Sequence, residues 1–363
     1  MDNIDYLISA AIACALALGL TPLMIGLSKK LKVLDMPSER KAHTKPMPLM
    51  GGVAIYIATL LAALVFILVF VKGLTMSIVI AFAVGITGVT AMGLIDDIMH
   101  LSARRRLVIL FVLALIVLVG CLQFYFPPAL IQGSLGVVLI ISLIVVVWIV
   151  AVTNAINFAD GLDGLAGSLS LVSALGFAAI FYLQGRTQLA LPTALALSGA
   201  ILGFLPYNFN PAKLFMGDAG SMFIGFMLGI FSIMSMAQET VKEFIVLIYL
   251  ILVPLADMAM AVLRRLIMKR PVMKPDKFHF HHILNRRFKN QRVVVLILAL
   301  AQAISTSIGV LIFYGYIHSI GWVLMAGWVL MGCVVVAAIL YTVAKAHKLI
   351  AMERAEQAAT LVK

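Results

Sequence analysis

The chain has 363 residues, 63% of them hydrophobic and only 12% charged, with a mean hydropathy of +1.13. That profile excludes a water-soluble domain and a disordered chain, and it describes a polytopic membrane protein. In so apolar a chain a net charge of +12 reads as membrane orientation plus a phosphate-rich client, with membrane lipid headgroups taking up part of it; nucleic acid is not expected as a partner.

A membrane-spanning helix needs about 20 apolar residues, and eleven segments qualify: roughly 4–27, 50–71, 76–95, 107–126, 135–153, 165–183, 189–206, 221–236, 244–263, 293–316 and 321–343. They predict an all-α integral membrane domain over residues 1–343, followed by a helical cytoplasmic tail over 344–363. Asp2 and Asp5 stand where a cleavable signal would carry basic residues, so the first helix is expected to stay. Loops alternating between eleven spans put 24 of the 27 Lys and Arg residues on one side and only Lys72, Arg186 and Lys242 on the other. By the positive-inside rule the basic side is cytoplasmic, with the N-terminus outside and the C-terminus inside. Cys14, Cys121 and Cys333 fall within apolar segments without metal-ligand spacing, which predicts small core side chains.

The acids gather on the basic side. A carboxylate buried unpaired at membrane depth costs at least ~2.5 kcal/mol, so each acid beside a span needs an explanation. Asp96 and Asp97 end the third span, where the dipole of their own helix disfavours negative charge by ~0.3–1 kcal/mol each. Either the pair is catalytic or binds metal, or it forms a solvated turn with Arg104 to Arg106. Next comes Asn154-Ala-Ile-Asn157-Phe-Ala-Asp160-Gly-Leu-Asp163-Gly-Leu. Asn154 and Asn157, three apart, should face the same way. Asp160 and Asp163, flanked by Gly161 and Gly164, offer one ligand both carboxylates and backbone N–H groups, although Asp163 also suits a helix N-cap.

Phe215-Met-Gly-Asp218-Ala-Gly-Ser221 repeats the pattern of an acid between glycines before a span. Asp218 is a hard oxygen ligand of the kind Mg²⁺ takes alongside phosphates, Ser221 suits a helix cap, and Phe215 is open between packing and binding. Asp257 sits about two turns from the basic end of the ninth span, with Arg264 or Arg265 as expected partners. The stretch 264–292 holds ten basic residues and the run His279-Phe-His281-His282. That spacing, without Cys and amid positive charge, argues against zinc and for imidazoles offered to a diphosphate or a sugar hydroxyl. With Lys45, Arg104, Arg105, Arg106 and Lys213 on the same face, the inventory is that of a divalent cation and phosphates. A transporter and a Mg²⁺-dependent lipid diphosphate phosphatase share parts of it.

Five stretches in order, Lys-Ala-His43-Thr-Lys45-Pro-Met-Pro-Leu-Met-Gly-Gly, Ile-Asp96-Asp97, the Asn154–Leu165 run, Asn208-Phe-Asn-Pro211-Ala-Lys-Leu-Phe-Met-Gly-Asp218-Ala-Gly-Ser and His279-Phe-His-His, resemble the polyprenyl-phosphate N-acetylhexosamine-1-phosphate transferase family. The resemblance implies transfer of a sugar 1-phosphate from a UDP-sugar to undecaprenyl phosphate, release of UMP, and a Mg²⁺ cofactor, with Mn²⁺ as an alternative. It also implies a ten- or eleven-helix fold in the bacterial cytoplasmic membrane, with the site on the cytoplasmic face; a homodimer is left open. Carried over, the metal falls on Asp218 with Asn157, and catalysis on Asp96 and Asp97. The uridine pocket falls on Asp163, Asn208 and Phe215, with Asp160 and Asn154 beside it. Phosphate and sugar binding fall on His43, Lys45, Arg104, Arg106, His279, His281 and His282. Ser102-Ala-Arg104-Arg-Arg106 departs from the lysines usual after the aspartate pair, which keeps the charge but rules out a lysine amine. The His-x-His-His form resembles the N-acetylglucosamine branch more than the muramoyl-pentapeptide branch, which stays as the alternative.

Overall fold

The computed structural model describes residues 5–37, 45–71, 76–125, 134–236, 240–271 and 279–318, with scattered positions from 326 to 344. The chain runs as α1 (Asp5–Leu31), β1 (Leu34–Asp35), β2 (Met47–Pro48), α2 (Gly51–Phe70), α3 (Met76–Met99), α4 (Ala103–Tyr125), α5 (Leu135–Ala159) and α6 (Leu165–Leu183). It continues as α7 (Ala190–Asn208), α8 (Gly217–Ser235), α9 (Thr240–Leu250), α10 (Leu252–Ile267), α11 (Phe280–Phe288) and α12 (Gln291–Ile317). Among the described residues, eight of these helices are long and apolar enough to cross a membrane: α1, α2, α3, α5, α6, α7, α8 and α12. The protein is therefore a multi-pass helical membrane protein. The eleventh expected span and the tail lie largely outside the described residues.

Several expectations need correction. The helices run past their apolar cores: α5 extends to Ala159 and α8 begins at Gly217, so Asn154, Asn157 and Asp218 stand on helical turns and not in loops. The fold is not purely helical either. Leu34 pairs with Pro48 and Asp35 with Met47 in a short antiparallel ribbon, to which the chain before α8 adds when Phe215 N donates to Pro48 O at 2.9 Å. Third, the ninth span breaks at Ile251 into α9 and α10. Pro254 has no N–H to give the carbonyl of Leu250, four residues back. Gln302 of α12, fully buried, supplies it from Nε2 at 2.8 Å and accepts from Val253 N at 3.0 Å. A broken helix at this depth persists because a side chain satisfies the freed backbone. Of the cysteines, Cys14 is half-buried and Cys333 exposed, so neither is the closed core position expected.

The centre of the bundle is α8, against which α2, α3, α5 and α6 all pack. Every residue of α8 except Asp218 is buried. Lipid is as apolar as a side chain, so helices in a membrane gain little by hiding apolar surface from it, and they associate where small residues let backbones touch. Here Gly52 of α2 abuts Gly220. A Cβ at Gly93 of α3 would stand 2.5 Å from both Ala219 Cα and Asp218 O. Gly93→Ala is therefore expected to lower the thermal midpoint in detergent, at a cost of ~1–3 kcal/mol. Gly19→Ala, whose methyl meets nothing within 4 Å, is the matched control, and equal midpoints for the two variants would refute the close contact.

Candidate active site

At the end of the bundle where α3, α5 and α7 finish and α6, α8 and α12 begin, a cavity of about 820 Å³ opens. Asp96, Asp97, Asn157, Asp160, Asp163, Asn208, Phe215, Asp218 and His282 all line it. Acids more than a hundred positions apart along the chain thus share one space.

Asp218, in the first turn of α8, is held from two sides. Asn157 of α5 donates Nδ2 to its Oδ1 at 2.6 Å and to Ser221 Oγ at 2.9 Å, while Arg106 of α4 places Nη1 3.3 Å from its Oδ2. The same Nη1 lies 2.7 Å from Asp96 Oδ2, and Asp96 Oδ1 accepts from Leu101 N at 2.6 Å. Asp96 thus takes the turn-and-arginine arrangement, although buried and not solvated.

Asp97 takes a role that was not expected. Its Oδ1 accepts from Asp218 N at 2.8 Å and its Oδ2 from Ala219 N at 3.2 Å, so a carboxylate from α3 caps α8. Gly217 makes room with φ +72°, where a Cβ would meet Asp97 Oδ2 at 2.5 Å. Ser221, the expected cap, instead donates back to Gly217 O at 3.1 Å. Deleting a side-chain cap costs ~1–2 kcal/mol. Asp97→Ala should therefore lower the thermal midpoint as well as activity, and an unchanged midpoint would exclude the cap.

Asp163 does not cap α6. Its Oδ2 accepts from Asn210 Nδ2 at 3.0 Å and Ala212 N at 3.1 Å, and left-handed Gly164 takes the cap position. Asn208 is buried and works as a strut, accepting from Gly164 N at 3.1 Å and donating to Leu214 O at 3.0 Å. Asn154 does not reach the cavity. Its amide donates to Val150 O one turn back at 2.8 Å, so the two asparagines of α5 part company.

The histidines divide likewise. Asp257 takes them in place of Arg264 or Arg265: His279 Nδ1 lies 3.3 Å and His281 Nδ1 3.5 Å from its Oδ2, while Phe280 N donates to its Oδ1 at 2.7 Å. Both rings are buried, and His281 wedges against Gly161, where no Cβ would fit. His282 alone of the three lines the cavity. Burial first, then the neighbouring His281, His279 and Arg286 side chains, hold its pKa down at about 4, so its imidazole is neutral near pH 7.

Lys45, Arg104 and Lys213 are exposed and do not line the cavity, and His43 lies outside the described residues. The cavity also has lining residues that sequence reasoning missed: Asp35 from β1, His100 in left-handed conformation after α3, Asn210, Asn285 and Gln291. Asn210 lies within the Asn208–Ser221 stretch without being singled out there; the other four sit in no stretch of distinctive spacing, and only the fold gathers them.

Electrostatically the cavity is short of positive charge. Six carboxylates line it, those of Asp35, Asp96, Asp97, Asp160, Asp163 and Asp218. At the end of α5, burial first, then the charges of Asp218 and Asp163, push the Asp160 carboxyl up to about 7. Among the described residues no three His, Cys, Asp or Glu side chains form a ready metal cage. An ion that takes one or two carboxylates and completes its shell with water and phosphate oxygens, as Mg²⁺ does, suits such a donor set.

A multi-pass helical bundle that opens a cavity lined by six carboxylates at one end fits a membrane enzyme acting on charged substrates. Residues 79–236 match the family described as glycosyl transferase family 4. A Bacillus subtilis (strain 168) protein named a probable undecaprenyl-phosphate N-acetylglucosaminyl 1-phosphate transferase is 37% identical over 284 residues, 77% of this chain and 77% of that protein. A decaprenyl-phosphate N-acetylglucosaminephosphotransferase of Mycolicibacterium smegmatis is 33% identical over 338 residues, 84% of this chain and 80% of that protein. The undecaprenyl-phosphate alpha-N-acetylglucosaminyl 1-phosphate transferase of Escherichia coli (strain K12) is 31% identical over 306 residues, covering 80% and 79%. The chain belongs to this family, the polyprenyl-phosphate N-acetylhexosamine-1-phosphate transferases.

Proposed function

We propose that the chain transfers N-acetylglucosamine 1-phosphate from UDP-GlcNAc to undecaprenyl phosphate at the cytoplasmic face of a bacterial inner membrane. The products are undecaprenyl-diphospho-N-acetylglucosamine and UMP, and the reaction starts a lipid-linked cell-envelope glycan. The observation that carries this reading is the convergence of Asp96, Asp97, Asp160, Asp163 and Asp218 in one cavity at the bundle end, with Arg106 paired to Asp96 and Asp218 beside it. Arg104, Arg105, Lys213, Arg286, Arg287 and Arg292 lie in segments at that same end, which supports its being cytoplasmic.

Both substrates are anionic, so the barrier is dominated by bringing two phosphates together, and the protein's contribution is charge placement and alignment. An oxygen of the lipid phosphate attacks the sugar-bearing phosphorus of the donor. The bond from that phosphorus to the bridging oxygen breaks, and UMP leaves with the electron pair. An alkyl phosphate is largely dianionic near neutral pH and needs little help from a base. Arg106 is placed to draw in phosphate oxygens. Asp97 has both carboxylate oxygens bound to backbone N–H groups of α8, which supports direct attack over a phospho-aspartate route.

Asp218 is the residue to hold Mg²⁺. Asn157, placed as a donor to that carboxylate, would join it as a ligand by turning its amide oxygen inward. Bound there, the ion would neutralise diphosphate oxygens and stabilise the UMP leaving group.

The deciding assay supplies purified protein with UDP-GlcNAc, its galacto epimer or the UDP-muramoyl-pentapeptide, each with undecaprenyl phosphate and Mg²⁺. UMP release from UDP-GlcNAc that depends on the lipid phosphate is expected. Release without lipid indicates a hydrolase, and turnover only of the muramoyl donor refutes the branch.

The acids also set a pH signature. Because the folded Asp160 keeps its proton from the ordinary aspartate value of 3.8 up to about 7, the folded state binds more protons than the unfolded one there. The stability of the metal-free protein therefore falls as pH rises through that window. A divalent cation binds the deprotonated carboxylates, so Mg²⁺ should raise the thermal midpoint more at about pH 8 than at about pH 5.5. Equal increments would mean that these carboxylates do not take the ion.

A further inference from the structure

The cavity wall formed by α11 and the start of α12 differs chemically from the acidic wall of α3, α5 and α8. It presents His282, Asn285 and Gln291, and none of these carries charge near neutral pH. His282 and Asn285 are three residues apart on α11 and so share a face. Both are half-buried, and in the described structure neither side chain makes a hydrogen bond.

The orientation of Gln291 follows from a chain of partners. The Asp163 carboxylate only accepts, so the Asn210 group facing it is Nδ2, and the other hydrogen of that NH₂ meets Gln291 Oε1 at 2.6 Å. The Nε2 of Gln291, with two hydrogens, is left without a partner among the described residues. Half-buried amides in a cavity wall with unused donors and acceptors are arranged for a ligand that is itself neutral and rich in hydrogen-bonding groups.

We propose that Asn285 and Gln291 bind the hydroxyl and acetamido groups of the donor's sugar and set which sugar is accepted. The inference rests on the UDP-sugar reading above and adds two residues outside every stretch that carries the family resemblance. A nucleobase is the competing occupant of similar chemistry. It is planar and asks for an aromatic face, and Phe215, which lines the cavity from the chain before α8, belongs to another wall.

The test uses the full-length protein in detergent with Asn285→Ala and Gln291→Met, measuring kcat and KM for UDP-GlcNAc and its galacto epimer, and the inhibition constant of UMP. One hydrogen bond to a neutral group corresponds to roughly a fivefold effect. Each variant should raise KM for UDP-GlcNAc about five- to tenfold and narrow the preference over the epimer, while UMP inhibits within about twofold of wild type. Retained UMP affinity also reports that the variant is folded. A parallel loss of UMP and UDP-GlcNAc affinity would assign the residues to the base or to the scaffold, and unchanged KM and epimer preference would remove them from the donor; either result overturns the proposal. Failure of the underlying reading shows separately, as wild-type protein that does not turn over UDP-GlcNAc at all.

Discussion

The site depends on one electrostatic constraint, the need to satisfy the first N–H groups of α8. That helix is buried along its length, and its N-terminus opens on a cavity in the bundle where an unpaired donor would be costly. Asp97 meets the need from α3, taking Asp218 N and Ala219 N on its two oxygens. The contact sets both oxygens of an acidic side chain at the positive end of a helix dipole. It requires α3 and α8 to approach almost backbone to backbone, which Gly93 permits one turn earlier. With those helices locked, Asn157 from α5 and Arg106 from α4 converge on Asp218, and four helices fix one carboxylate.

That carboxylate sits in an excess of like charge, which decides what the cavity accepts. A nucleotide diphosphate entering a space lined by six acids would be repelled unless cations enter with it. Arg106 stands beside that space, against Asp96 and Asp218, and both its carboxylate contacts use a single nitrogen, Nη1. The rest of its fork, Nε and Nη2, has no protein partner among the described residues and suits bidentate phosphate binding. A lysine at this position would have one ammonium for both tasks. The arginine that departs from the family's usual residue therefore holds the acids and offers a phosphate grip at once.

Much of this was legible in the chain because membrane crossing leaves a long-period signal: the apolar run 165–183 became α6 over the same residues. The motif aspartates were legible for a related reason, since acids beside spans are rare enough to stand out. What escaped notice had no local signature. Asp97 stands at the unfavourable end of its own helix dipole, and the helix it caps begins 120 residues further on, at Gly217. Asn154 and Asn157 have the same spacing to the eye. Only the position of α8 decides that one reaches Asp218 and the other folds back on Val150. Asn285 and Gln291 look like ordinary surface residues until α11 is seated against the bundle.

What seats α11 leads back to the break at Ile251. If α9 continued straight through Pro254, Val253 N would donate to Tyr249 O. Instead it donates to Gln302 Oε1, and Tyr249 O accepts from Ser305 Oγ at 2.7 Å. Gln302 and Ser305 both belong to α12, so the helix that begins at the cavity also fixes where α10 starts. α10 carries Asp257, whose carboxylate takes Phe280 N, the first N–H of α11, and stands beside His279 and His281. The neutral wall of the cavity is thus positioned by polar contacts formed deep among apolar helices, where a polar group left without its partner is expensive. That cost favours a single arrangement of α10 and α11, and a rigid neutral wall is the condition under which hydrogen bonds to one sugar can discriminate against its epimer.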